Sequence, residues 1–345
     1  MKKLFIAIVA LAAATACSND ELVSVNQEAI GFDNAFINNS VRSVVDPSFK
    51  EGKMFTDFAV YGYVEGAVLL DGVRVAQDVT NDDLKKSTWK YDGTQYWIAG
   101  AKYNFNAVAP KTDGGWEKAE GTNNSKTVLS FTNNGTTDLL YAYATAEGKV
   151  SGNALVGFTF RHVLSKVKFS FKNDYNATNA TIGVKNVKIT DAYATGTVTL
   201  GAATEWSAQD GTLTLNFGNA AVASATTEEA FGYTKTVESY KELLLIPGAG
   251  KTKVNDKNTY TITFTVDLLV SGTVVKSYDH TINAEFAPEA GNSYNLTATI
   301  NATNIDPQHQ QEPIEFTVTS IDDWANGNTA DSDDDDNVKD HYPLN

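Results

Sequence analysis

Apolar and polar residues alternate along most of this chain. "KTVLSF" (Lys126–Phe131), "LSKVKFSF" (Leu164–Phe171), "IGVKNVKI" (Ile182–Ile189), "GTVTL" (Gly196–Leu200), "GTLTLNF" (Gly211–Phe217), "TYTITFTVDLLV" (Thr259–Val270) and "SYNLTATI" (Ser293–Ile300) share a period of two. That period puts one face of each segment on a core and the other in water, the pattern of a half-buried strand. Val, Ile, Thr, Tyr and Phe dominate these segments, and they suit a pleated surface. Turn signals separate them, among them Tyr91-Asp92-Gly93, Asn133-Asn134-Gly135, Asp210-Gly211 and Pro247-Gly248. Only Asn81–Ser87 and Glu238–Leu243 suggest helical turns, and both are short. Many short strands between turns predict an all-β chain of antiparallel β-sandwiches.

The alternation also marks the domain organisation. Aromatic segments such as "FAVYGYVEG" and "YWIAGAKYNFNAVAP" precede the stretch Gly148–Gly157, and longer, cleaner strands follow it. The boundaries expected are an N-terminal β-sandwich over 43–152 and a C-terminal one over 153–303. Asn304–Pro313, "NIDPQHQQEP", is polar with two prolines and reads as a linker. It leads into one last alternating strand, in which Ile314, Phe316, Val318 and Ile321 are the apolar positions; linker and strand together occupy 304–324. Residues 325–345 form an acidic tail, with six aspartates and one lysine between Asp331 and Asn345, too charged to bury.

The first residues give an address. Met1-Lys2-Lys3 is a basic start, and Leu4–Ala13 is an apolar run too short to span a bilayer but suited to a signal peptide. Residues 1–16 are read as that signal. It ends at Cys17, the single cysteine of the chain, which has no partner for an internal disulfide. Its setting resembles the lipobox of bacterial lipoproteins, where such a cysteine is acylated and becomes the new N-terminus. An ordinary secretory signal with a cysteine near its cleavage site is the alternative. Loss of Lys2 and Lys3 takes the formal charge from −15 to −17, and an acidic chain lacks the basic face that nucleic acid requires.

The constellations of catalysis are missing. His162, His280, His309 and His341 show no metal-ligand spacing, and no Gly-rich phosphate loop, G-x-S-x-G or H-E-x-x-H occurs. Asp331–Asp336 lacks the glycine and glutamate of a calcium loop. A carboxylate pair on distant strands would escape this reading, but the residues point to no enzyme and to no metal or organic cofactor. Trp89, Tyr91, Tyr96, Trp97 and Tyr103 fall close together. Inside alternating strands they read as inter-strand packing rather than a glycan platform.

Several segments taken in order resemble the fimbrillin family, the type V pilus subunits of Gram-negative anaerobes. They are the lipobox with Ser18–Glu21, "EAIGFDNAF", "FAVYGYVEG", "YWIAGAKYNFNAVAP", "DLLYAYA", "FTFRHVLSKVKFSF", "LLLIPG" and "GNSYNLTATI". The resemblance implies two transthyretin-like β-sandwich domains in tandem and a route of assembly. The precursor is anchored to the outer membrane through lipid on Cys17. An arginine-specific protease then removes the segment 17–42 with its first strand. The groove left behind takes a C-terminal donor strand from another pilus subunit. On this reading the cut falls between Arg42 and Ser43, and the donor residues are Ile314, Phe316, Val318 and Ile321. The chain has three arginines. Arg74 and Arg161 are flanked by strand-like apolar residues, whereas Arg42 lies between Asn38-Asn39-Ser40 and Asp46-Pro47, an accessible, turn-prone setting. An exposed arginine with no role is the alternative. The rival function is a non-polymerising outer-membrane surface lipoprotein that binds glycan or host protein; the residues do not name an adhesion ligand.

Overall fold

The computed structural model describes residues 28–37, 56–77, 89–175, 179–201, 203–224 and 241–323. Cys17, Arg42, Ser43, Asn81–Ser87, Trp324 and the acidic tail lie outside them. The described residues hold twenty strands and no helix, and the alternating segments named above fall in strands except for Lys126, Leu164, Gly211 and Thr212 at their starts. Of Glu238–Leu243, only 241–243 are described, and Leu243 opens a strand rather than a helical turn.

The first sheet closes on itself. It comprises β1 (Phe32–Ile37), β2 (Asp57–Val64), β3 (Ala67–Gln77), β4 (Trp89–Tyr91), β5 (Lys102–Ala109), β8 (Leu140–Glu147) and β9 (Val156–His162). Their order is β1-β4-β3-β2-β5-β8-β9, and β9 returns to β1. The barrel interior is filled mainly by aromatic and aliphatic side chains, including Phe58, Phe105, Phe158 and Phe160, all fully buried. A four-stranded sheet, ordered β13-β12-β7-β6, lies apart from it. It takes β6 (Trp116–Lys118) and β7 (Thr127–Thr132) from the first half of the chain, and β12 (Thr195–Leu200) and β13 (Thr204–Asp210) from the second. Its buried Leu129, Phe131, Val198 and Leu200 share a core with Tyr61 and Tyr141 of the barrel strands. The chain on either side of residue 152 is therefore joined by strand pairing as well as by the covalent connection.

The third sheet has nine strands. They are β10 (Ser165–Asp174), β11 (Ala180–Ala192), β14 (Leu213–Ser224), β15 (Leu243–Leu245), β16 (Thr252–Val254), β17 (Lys257–Val270), β18 (Thr273–Ala284), β19 (Asn292–Asn301) and β20 (Thr317–Asp323). Most pairings are antiparallel, but β1–β9, β10–β14 and β10–β19 are parallel. Parallel neighbours need a crossover rather than a hairpin, so period and turn signals did not disclose them. β10 follows β9 after the buried Val163 and Leu164 and sits between β14 and β19, at the centre of the second large core.

Candidate functional site

The first region of interest surrounds β1. This strand is the piece that closes the barrel, running parallel to β9 with Phe32 opposite Val156 and meeting β4 at Trp89. Just before it, the chain is held to the end of the barrel by backbone bonds. Ile30 N donates to Gln95 O at 2.8 Å, Trp97 N to Glu28 O at 3.0 Å and Val156 N to Gly31 O at 2.8 Å. The Tyr91 hydroxyl donates to Ile30 O at 2.9 Å. Ile30 and Phe32 are buried, at 1% and 3% exposure. The Phe32 ring lies 5.3 Å from Tyr91, 5.8 Å from Phe158 and 5.9 Å from Phe105, centroid to centroid. Taking this segment away would leave unpaired edges on β9 and β4 and an aromatic-lined cavity between them.

At the same end of the barrel, Glu28 sits in a nest of donors. Its carboxylate accepts from Gly152 N and Asn153 N, both at 2.6 Å, and from Asn153 Nδ2 at 2.8 Å. The backbone N–H groups of Asn153 and Gly152 hold the Glu28 carboxyl below its usual range. Gly152 has φ of +72°, a conformation that favours glycine. The loop is braced from within, since Lys149 N donates to Asn153 Oδ1 at 2.7 Å and Asn153 Nδ2 donates to Lys149 O at 3.0 Å.

The second region is the C-terminal strand. Among the described residues β20 forms the end of its sheet and pairs antiparallel with β19 alone. Ile314 and Phe316 precede the ladder; Ile314 is buried, at 2% exposure, whereas Phe316 is half-buried against Phe169, Phe171 and Phe264. Val318 is 39% exposed, and Ile321 pairs with Tyr294 in the backbone ladder. The stretch Asn304–Pro313 is not a free tether. Ile305 and Asn304 are both buried, at 4% exposure. Asn304 Nδ2 donates to Thr299 O at 3.0 Å, and Gln311 N to Thr303 O at 2.7 Å. His280 Nε2 lies 3.1 Å from Ile305 O, which fixes that nitrogen as a donor. A single isoleucine in a polar run gave no periodic signal for this anchoring.

The two described arginines are both engaged within strands. Arg74 on β3 pairs with Asp57, whose carboxylate also accepts from Thr112 N at 2.9 Å. Burial raises the Asp57 carboxyl, but the Thr112 and Arg74 donors outweigh it and hold it below its usual range. Arg161 on β9 donates to Gly201 O at 2.7 Å and lies over the Tyr141 ring. His162 is buried beside Asp138, at 2.5 Å, as a structural histidine. Trp97 and Tyr103 are buried against each other with centroids 4.7 Å apart, while Tyr96 is half exposed. Among the described residues no group of three or more His, Cys, Asp or Glu side chains is placed to hold a metal.

The fimbrillin-like family matches residues 42–324. Among solved structures, a fimbrial protein from Bacteroides vulgatus shares 16% identity, with a TM-score of 0.53 over 86% of this chain and 99% of that one. A fimbrial assembly protein from Parabacteroides distasonis shares 9% identity, with a TM-score of 0.44 over 85% of this chain and 100% of that one. No curated protein matches the chain.

Proposed function

The chain belongs to the fimbrillin-like family of structural, non-enzymatic proteins, and from that premise we propose that it is a subunit of a cell-surface pilus. The precursor is exported as a lipoprotein and held on the outer membrane through Cys17. An arginine-specific protease cuts between Arg42 and Ser43. The matured subunit then accepts the C-terminal strand of another subunit, with Ile314, Phe316, Val318 and Ile321 facing the vacated core. The assembled pilus contributes to adhesion.

One observation carries this reading: β1 lies upstream of Arg42 and closes the barrel, supplying the buried Phe32, with the buried Ile30 just before it. A cut after Arg42 would sever it from the body while leaving every other barrel strand intact. Open strand edges are templates for pairing, and an added strand gains main-chain bonds and side-chain pockets together. The engaged states of Arg74 and Arg161 support Arg42 as the accessible site, because a strand held in a sheet resists proteolysis. A head-to-tail exchange of this kind propagates instead of closing.

Treating the refolded precursor with an arginine-specific protease tests the route. The expected product begins Ser43-Val44-Val45 and polymerises, whereas Arg42→Ala does neither. Deleting residues from Ile314 onward should leave a folded, processed subunit that forms no fibres. Fibres from that truncated protein would place the donor elsewhere. Equal fatty-acid labelling of wild type and Cys17→Ala would remove the lipid anchor from the scheme.

A second reading is a non-polymerising surface lipoprotein that binds glycan or host protein. It is favoured by the ordered state of Asn304–Pro313 and by Ile314, which is already buried at home. Intact-mass analysis of surface-extracted protein separates the two: an N-terminus at Ser43 supports assembly, and a retained lipid on Cys17 supports the monomer.

A further inference from the structure

Two pentapeptides far apart in the chain carry the same anchors. Glu28-Ala29-Ile30-Gly31-Phe32 leads into β1, and Glu312-Pro313-Ile314-Glu315-Phe316 leads into β20. In both, a glutamate is followed two residues later by a buried isoleucine and four residues later by a phenylalanine packed among other rings. Both strands that follow have one register irregularity, between Asp33 and Ala35 in β1 and opposite Asn295 and Leu296 in β20.

We infer that the Gly152–Asn153 loop is a carboxylate site used twice, by Glu28 in the precursor and by Glu312 of a second copy of this chain after maturation. This rests on strand exchange as proposed above and fixes its polarity and register. Ile314 takes the place of Ile30, Phe316 that of Phe32, and the donor runs parallel to β9.

The substitutions at the intervening positions fit. Ladder bonds around residue 29 come from Ile30 N and Trp97 N, so Pro313 forfeits no ladder bond by lacking an N–H. A side chain at position 31 meets the end of Leu155 at 2.5 Å. Leu155 is 56% exposed, so it can swing aside for Glu315. In its own subunit Glu312 is exposed, and its one hydrogen bond among the described residues is a long one from Thr303 Oγ1, at 3.4 Å. The receiving loop keeps its shape without Glu28, because the Lys149–Asn153 bonds are internal to it. Charge-assisted bonds from backbone N–H groups to a carboxylate are short and strong, and they add geometric specificity.

Cross-linking tests the register in fibres grown from matured protein, which lacks Cys17 and so contains only introduced cysteines. In the precursor Asp33 pairs with Gly157, and the corresponding donor residue is Thr317. The pair Gly157→Cys with Thr317→Cys should give an intersubunit disulfide, and the slipped pair Thr159→Cys with Thr317→Cys should not. Separately, Glu312→Gln should speed subunit loss from fibres in dilute denaturant by about tenfold or more, with the thermal midpoint of the uncleaved monomer unchanged. Fibres that cross-link only in the slipped pair, or that hold Glu312→Gln as firmly as wild type, overturn the carboxylate site while leaving strand exchange standing. Failure of matured wild-type protein to polymerise overturns both.

Discussion

β1 and β20 carry similar anchors in unlike surroundings. β1 has a neighbour on each side, and Phe32 is enclosed by rings from four other positions. Among the described residues β20 has a neighbour on one side, with Phe316 half-buried and Val318 exposed. The enclosed strand is covalently upstream of a candidate cut, and the loosely held strand is at the opposite end of the described chain. A strand with one partner and partial burial has less to lose by leaving, whereas β1 leaves readily only after its bond to the body is broken. The comparison therefore assigns a direction to exchange: the better pocket is on the barrel, and the poorer one is at home.

Truncating the two phenylalanines is the strongest way to break that comparison. Phe32→Ala should destabilise the precursor by about 3–5 kcal/mol, the range for a buried aromatic. Phe316→Ala should cost less, about 1–3 kcal/mol, in line with its smaller buried area. Urea unfolding of the uncleaved protein reads both. A larger loss for Phe316→Ala than for Phe32→Ala would reverse the proposed direction.

The linker offers a finer test. Ile305 is buried in the core of the nine-stranded sheet, so Ile305→Ala should cost about 2–4 kcal/mol as a large-to-small core change. If Ile305 restrains the donor, amides of β20 should exchange with solvent faster in this variant, while those of β1 remain unchanged. Equal acceleration at both strands would show that the whole molecule, not the C-terminal segment, had been loosened.

How much of this was legible depended on what kind of signal each feature left. The long strands β11, β17 and β19 were plain, because alternation over many residues has one physical reading. Closure of the barrel by β1 was not. "EAIGFDNAF" alternates weakly, and its partner β9 lies more than a hundred residues away. The β12–β13 hairpin reads as part of the second half of the chain, yet it pairs with β7 of the first, a contact no local pattern encodes. His280 and Ile305 are joined by tertiary contact alone, which no local pattern encodes. The nest around Glu28 is built largely from backbone N–H groups, which every residue but proline has, with one bond from the Asn153 side chain, so side-chain type gave little sign of it. Its trace was the repeated spacing of glutamate, isoleucine and phenylalanine at the two ends.

The smallest expected effect concerns pH and separates the two regions again. Burial lowers the His280 pKa, against the opposing pull of the Ile305 carbonyl and of the Asp279 and Asp306 carboxylates. Lys276, which faces the same linker through Asp306, adds positive charge nearby. With its folded-state pKa below the unfolded value, His280 binds a proton more tightly in the unfolded chain. Stability then falls as pH drops below about 6.5, and this loss ends once pH passes below the folded-state pKa. The slope is at most about 1.4 kcal/mol per pH unit from one such group. Glu28 and Asp57 have depressed pKa values, so their contributions are retained until far lower pH and leave the window between about 5 and 7 clear. His280→Gln keeps a donor for Ile305 O but cannot titrate. Between pH 7 and pH 5 the wild type should lose more stability than this variant, and the amides of the C-terminal segment should lose protection before those of β1. Parallel pH profiles for the two proteins would sink the assignment, since every other titrating group is common to both.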